Sequence, residues 1–147
     1  MRFARTSADE SLFADLRDAG VVTPDAINRI DEAMGRPEGA TLDEFLLAGA
    51  DHIPEADWLY WLIRRHGCHR FGRVRWDPAS LRVIPDPAPA DPNLPYRMCR
   101  EGSLLVAVLR PDLRDATRER LPDRRLLWAA ATLREIRTLR AATRSTA

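Results

Sequence analysis

Lysine is absent from this chain: all 23 basic residues among its 147 are arginine. A Walker A loop needs its lysine to reach the nucleotide phosphates, and a pyridoxal-phosphate enzyme needs a lysine amine for its Schiff base. Both classes are therefore excluded. Cysteine is scarce too. Cys68 and Cys99 are far apart and imply no disulfide framework, and they are expected as small buried apolar residues. No apolar run approaches the ~20 residues that cross a bilayer as a helix. Met1–Ser7 leads into Asp9 and Glu10 and not into an apolar stretch, unlike a secretory signal, so a cytoplasmic protein is expected. Charge of one sign is lacking as well. The 22 acidic residues bring the formal net charge to +1, whereas a duplex-DNA binder shows net basicity or a basic block. Nucleic acid is not an expected partner.

What is present, 45% hydrophobic and 31% charged residues, suits one compact domain or two small subdomains sharing a core. The first half reads as four helices. Ser7-Ala8-Asp9-Glu10 has the form of a capping box, followed by Leu12, Phe13, Leu16 and Ala19 at helical spacing and closed by Gly20. Thr23-Pro24-Asp25 starts a second helix with Ile27, Ile30 and Met34 on its apolar face. Thr41-Leu42-Asp43-Glu44 is another capping box, with Leu42, Phe45 and Leu46 inward and Gly49 at the end. Pro54-Glu55-Ala56-Asp57 opens a fourth helix that finishes at Arg64-Arg65-His66-Gly67, basic residues that favour the negative end of the dipole. The four form an internal repeat. The offset is 30 residues at Leu12/Leu42 and 31 at Ile27/Trp58, so the second copy rearranges its turn at Gly49–Ile53.

The second half changes character. Phe71–Trp76 alternates as a strand does, and Leu81–Ile84 suits a short one. Pro85–Pro95 carries five prolines and is expected to be an extended connection through which no strand runs. Tyr96–Arg100, Glu101-Gly102 and Ser103–Leu109 read as a hairpin. A helix from Pro111 to about Leu121, a buried strand over Leu126–Ala130 and a last helix opened by the capping box Thr132-Leu133-Arg134-Glu135 complete the chain. The expected fold is α+β: a four-helix unit of two tandem repeats (residues 1–68), then a small α/β sandwich of three to four strands and two helices (residues 69–147), with the proline-rich connection at 85–95.

Three stretches carry a family resemblance over residues 11–142. They are the pair Leu12…Leu16…Gly20-Val21-Val22-Thr23-Pro24…Ile27 and Thr41-Leu42-Asp43-Glu44-Phe45-Leu46-Leu47…Gly49; Ile84-Pro85 followed by Leu94-Pro95; and, most specific, Glu101-Gly102-Ser103-Leu104-Leu105-Val106-Ala107-Val108-Leu109-Arg110-Pro111. In these the chain resembles the N-terminal domain of bacterial type II secretion and type IV pilus ATPases (the GspE or MshE N-terminal domain family), a domain also found fused to membrane glycosyltransferases. The resemblance implies a non-enzymatic docking or regulatory module. Its protein partner would be a cytoplasmic segment of an inner-membrane secretion or glycosyltransferase component, at the inner face of that membrane. No cofactor is implied outside one branch, which binds cyclic di-GMP through two tandem motifs beginning Arg-Leu-Gly. By position the first falls on Ser11, Leu12 and Phe13 and the second on Thr41, Leu42 and Asp43, so both Arg and both Gly are replaced. For that alternative the ligand-binding candidates are Leu12, Leu16, Arg17, Gly20, Arg36, Leu42, Leu46 and Gly49, with Arg17 or Arg36 supplying the missing charge.

Other constellations are weaker. His66, Cys68 and His69, with Cys99 distant, match no zinc spacing, and no metal is expected. Asp57, His66 and Ser80 or Ser103 lack a nucleophile-elbow sequence. Trp58, Trp61 and Leu62 follow the helical period of a core face, whereas Tyr60 and Arg64 lie on another side, a pairing suited to anchoring a protein partner. Arg114, Arg118, Arg120, Arg124 and Arg125, broken by Asp115, Glu119 and Asp123, read as a solvated, salt-bridged face. A DNA-reading role for the Asp25–Met34 helix sits badly with Asp25, Asp31 and Glu32 against Arg29 alone.

Overall fold

The computed structural model describes residues 6–35, 40–70, 92–99 and 102–146. They form an α+β fold of six α-helices and a four-stranded mixed sheet. The order is α1 (Ser7–Asp18), α2 (Pro24–Ala33), α3 (Leu42–Ala48), α4 (Glu55–His66), β1 (His69–Arg70), β2 (Leu94–Met98), β3 (Leu104–Ala107), α5 (Arg114–Arg120), β4 (Leu126–Ala130) and α6 (Leu133–Thr146). The strands expected at Phe71–Trp76 and Leu81–Ile84, and most of the proline-rich connection, lie outside the described residues.

Threonine caps punctuate the helices. Thr23 caps α2 by accepting from Ala26 N, with Pro24 in the first turn where its missing N–H costs nothing. Thr41 accepts from Glu44 N, and Thr132 exchanges both bonds of a capping box with Glu135. At α1 the box sits one residue earlier than expected. Thr6, not Ser7, is the extended cap, accepting from Asp9 N at 3.1 Å while its own N–H donates to Asp9 Oδ2 at 3.2 Å. The shift uses one Asp9 oxygen for the cap and leaves the other facing inward.

The two repeats end differently. After α1, Val21 N donates to Leu16 O and Gly20 N to Arg17 O, a Schellman closure that puts Gly20 at φ +75°. After α3 the backbone stays right-handed at Gly49 and continues as a 3₁₀ turn, Gly49–Asp51. This is the rearrangement implied by the 30-to-31 offset. An added Cβ at Gly49 would lie 2.8 Å from Ile53 Cδ1 and 2.9 Å from Ile30 Cδ1, so the turn packs directly on α2.

The sheet order is β1-β4-β3-β2, with β1 and β3 parallel to β4 and β2 antiparallel to β3. A strand does run into the proline-rich segment, contrary to the sequence expectation: Leu94 pairs with Ala107 and Pro95 with Val106. Proline is tolerated there because β2 is an edge strand, and its register shifts between Pro95 and Met98. The predicted hairpin is therefore real, but its first strand begins two residues earlier, at Leu94, and its second is shorter, Leu104–Ala107. The helix after it begins as a 3₁₀ turn, Pro111–Leu113, before α5.

One hydrophobic cluster joins both halves of the chain. Leu12, Leu16, Ile30, Leu42, Phe45, Leu46, Trp58 and Leu62 pack with Val108, Leu109, Ala130, Leu133 and Ile136. Trp58 Nε1 donates to Ala131 O at 3.1 Å across this junction, so the indole is buried with its polar atom satisfied. No helix among the described residues is long and apolar enough to cross a membrane.

Candidate functional site

A polar constellation lies where the two helical repeats meet the end of β3. Arg110 follows β3, and its side chain is only 4% exposed. Nε and Nη2 grip Asp112 in a bidentate pair at 3.0 and 2.8 Å. Nη1 reaches Asp9 Oδ1 of α1 at 2.8 Å and Asp43 Oδ1 of α3 at 3.2 Å. A planar fork suits this arrangement, because it presents donors in fixed directions to three carboxylates. The carboxylates hold the guanidinium far above its ordinary pKa against the desolvation that opposes it. For Asp43 the balance runs the other way: burial raises its pKa more than Arg110 lowers it.

Asn93 fixes the backbone of this turn. Fully buried, it accepts from Leu109 N and Arg110 N and donates to Arg110 O and to Thr117 Oγ1 of α5. All of its amide capacity is used within the chain. Neither residue stood out in the sequence. The one signal was Arg110 itself, a lone charge directly after the apolar run Leu104–Leu109.

A second cluster surrounds Asp15 on α1. Its oxygens meet Arg65 Nε at 2.6 Å and Trp61 Nε1 at 3.2 Å. His66 Nε2 stands 3.4 Å from Asp15 Oδ2, is buried, and makes no hydrogen bond. Burial lowers the His66 pKa, and Asp15 only partly offsets this. Arg114 donates to His66 O at 2.6 Å and to Pro111 O, which takes it off the solvated face expected for the arginine run. Arg118 keeps to that expectation, 3.7 Å from Asp115 and stacked over Trp128.

The tandem-repeat candidates fall in several environments. Leu12, Leu16, Leu42 and Leu46 are core residues. Phe13 fills the space beside Phe45 edge to face, with Arg17 over its outer ring face at 5.2 Å. Gly20 is exposed at the end of α1, Gly49 is buried in its turn, and Arg36 lies outside the described residues. A shallow cavity of about 290 Å³, lined by Gly102, Asp123, Arg124 and Arg125, opens at the far end of β3 from Arg110, away from these positions.

On α4 the period separates two faces. Trp58, Trp61 and Leu62 are buried as expected, while Tyr60 is 63% exposed. Arg64, also exposed, lies with its guanidinium 5.6 Å from the Tyr60 ring centre. Of the imagined hydrolytic set, Ser103 is buried, His66 faces Asp15 and not Asp57, and Ser80 lies outside the described residues. Cys68 and Cys99 are buried in separate clusters, and burial pushes the Cys68 thiol up to about 11. No group of three or more His, Cys, Asp or Glu suited to a metal occurs among the described residues. Comparison with protein-family models, with curated proteins and with solved structures returns no match for this chain.

Proposed function

We propose that the chain is a non-enzymatic accessory domain that docks to another protein through the outer face of α4. The observation that carries this reading is Tyr60, a large apolar side chain left 63% exposed and backed by Arg64. Tyrosine and arginine are among the residue types enriched at the hot spots of protein–protein interfaces. The resemblance to secretion-ATPase N-terminal domains supports a partner in the cytoplasmic segment of an inner-membrane secretion or glycosyltransferase component. Titrating such segments against the purified chain tests this. Tyr60→Ala should weaken binding by about 30-fold, the equivalent of ~2 kcal/mol at a central anchor, with the melting temperature unchanged. Equal affinity of the variant and the parent would overturn the proposal.

The alternative is a cyclic di-GMP sensor that uses Arg17 or Arg36 in place of the missing motif arginines. Calorimetry against cyclic di-GMP, with GTP as control, separates the two. Binding tighter than about 10 μM that is lost in Arg17→Ala or Arg36→Ala would favour the sensor.

A further inference from the structure

The outer face of α4 is self-complementary. Ala56, Tyr60 and Arg64 recur every four residues along it and are exposed, with Leu59 and Ile63 half-buried alongside. Acidic residues stand in its first turn and basic ones in its last. Glu55 and Arg65 at the two ends are already engaged within the chain, Glu55 with Arg134 at 4.0 Å and Arg65 with Asp15 at 2.6 Å. Asp57 and Arg64 have no ion-pair partner among the described residues. They are seven residues apart, two turns of helix, so they share a side of the face about 10 Å from each other along the axis. Tyr60 lies midway.

From this we propose that two copies of the chain pair through α4, antiparallel, about a twofold axis passing close to Tyr60. The twofold sets Asp57 of each copy beside Arg64 of the other, so one operation forms two ion pairs between the copies. Parallel pairing would set like charge against like charge and is disfavoured. The centre of the contact is then Tyr60, Ala56 and Ile63 from both copies. A helix of 12 residues is roughly 18 Å long, and a single helix pair buries less than the ~800 Å² per partner of a standard interface. The pairing is accordingly weak and sensitive to salt. It rests on reading this face as a protein-docking face and names a second copy as its occupant.

Sedimentation equilibrium of the whole chain from about 5 to 500 μM, in low and in high salt, tests it. The expected result is a monomer–dimer equilibrium that weakens with salt. Asp57→Arg and Arg64→Glu should each reduce association at least tenfold, by placing like charges together twice. The D57R/R64E double variant, or an equimolar mixture of the two single variants, should recover it, because opposite charges again face one another. A chain that stays monomeric throughout in low salt, or dimers indifferent to the single swaps, would overturn the proposal. If a charge swap impairs folding, Asp57→Asn and Arg64→Gln give a milder reading: each removes both ion pairs and should reduce association severalfold, and unchanged association also counts against the pairing. A monomeric chain whose heterologous binding still depends on Tyr60 would sink the pairing alone. A self-pairing chain with no Tyr60-dependent partner would sink the docking function alone.

Discussion

Replacing Arg110 should reveal how strongly the helical repeats are held to the sheet. Arg110→Ala removes four hydrogen bonds and leaves Asp9, Asp43 and Asp112 facing one another without their shared cation. Breaking a buried ion network from one side costs about 3–5 kcal/mol. Arg110→Lys keeps the charge but offers one ammonium where the fork reached three carboxylates, and so loses at least two of the four bonds. With charge-assisted bonds at about 1.5–3 kcal/mol each, partly regained by solvent and rearrangement, a loss near 2 kcal/mol is expected. Urea denaturation reads both, as midpoint shifts of about 1.5–2.5 M and 1 M for a slope near 2 kcal/mol/M, with the slope itself unchanged. The deficit of the alanine variant should shrink as pH falls from 7 toward 4, because protonation relieves the crowded carboxylates. A loss below 1 kcal/mol for both variants, or identical losses for the two, would refute the view that the fork geometry joins these elements.

Asp43→Asn should leave stability at pH 7 within about 1 kcal/mol of the parent, because burial disfavours the charge that the substitution removes. Its raised pKa gives the sign: the parent gains on the variant as pH falls through that pKa, and a chemical-denaturation series from pH 7 to 4 checks it. His66 works in the opposite direction. With its folded pKa lowered from 6.5, stability should fall as pH drops below about 6.5, and His66→Gln should flatten this slope in a thermal melt series. Asp15, Arg65 and Arg114 are the charges facing that ring, so the comparison keeps all three intact. Gly49→Ala should cost about 1–3 kcal/mol by overpacking against Ile53 and Ile30, measurable as a lowered melting temperature.

How far the fold can be read without coordinates depends on the range over which each feature is decided. The helix starts were legible because a threonine and an acidic residue three positions on settle a cap locally, as at Thr41 and Thr132. The two faces of α4 followed from its period, which put Trp58 inside and Tyr60 outside. Pro95 misled because proline chemistry is read locally, whereas its tolerance depends on β2 being at the edge, a matter of sheet order. The capping shift from Ser7 to Thr6 has the same origin. Either frame satisfies the local pattern, and the frame adopted also presents Asp9 to an arginine 101 residues away. The Arg110 and Asn93 constellation was illegible for that reason: its members are scattered from Asp9 to Thr117, and no spacing links them.

The bond from Trp58 to Ala131 spans 73 positions of the chain, which sets an order of events during synthesis. At about 5–20 residues per second, the ribosome needs roughly 4–15 s after making this tryptophan to deliver its acceptor, while local helices form within microseconds. The helical half thus spends seconds as a nascent intermediate with its indole ring uncovered, and Asp9 and Asp43 wait for Arg110 in the same interval. A nascent chain with this topology keeps the apolar surface around Trp58 uncovered until β4 and Ala131 have been made.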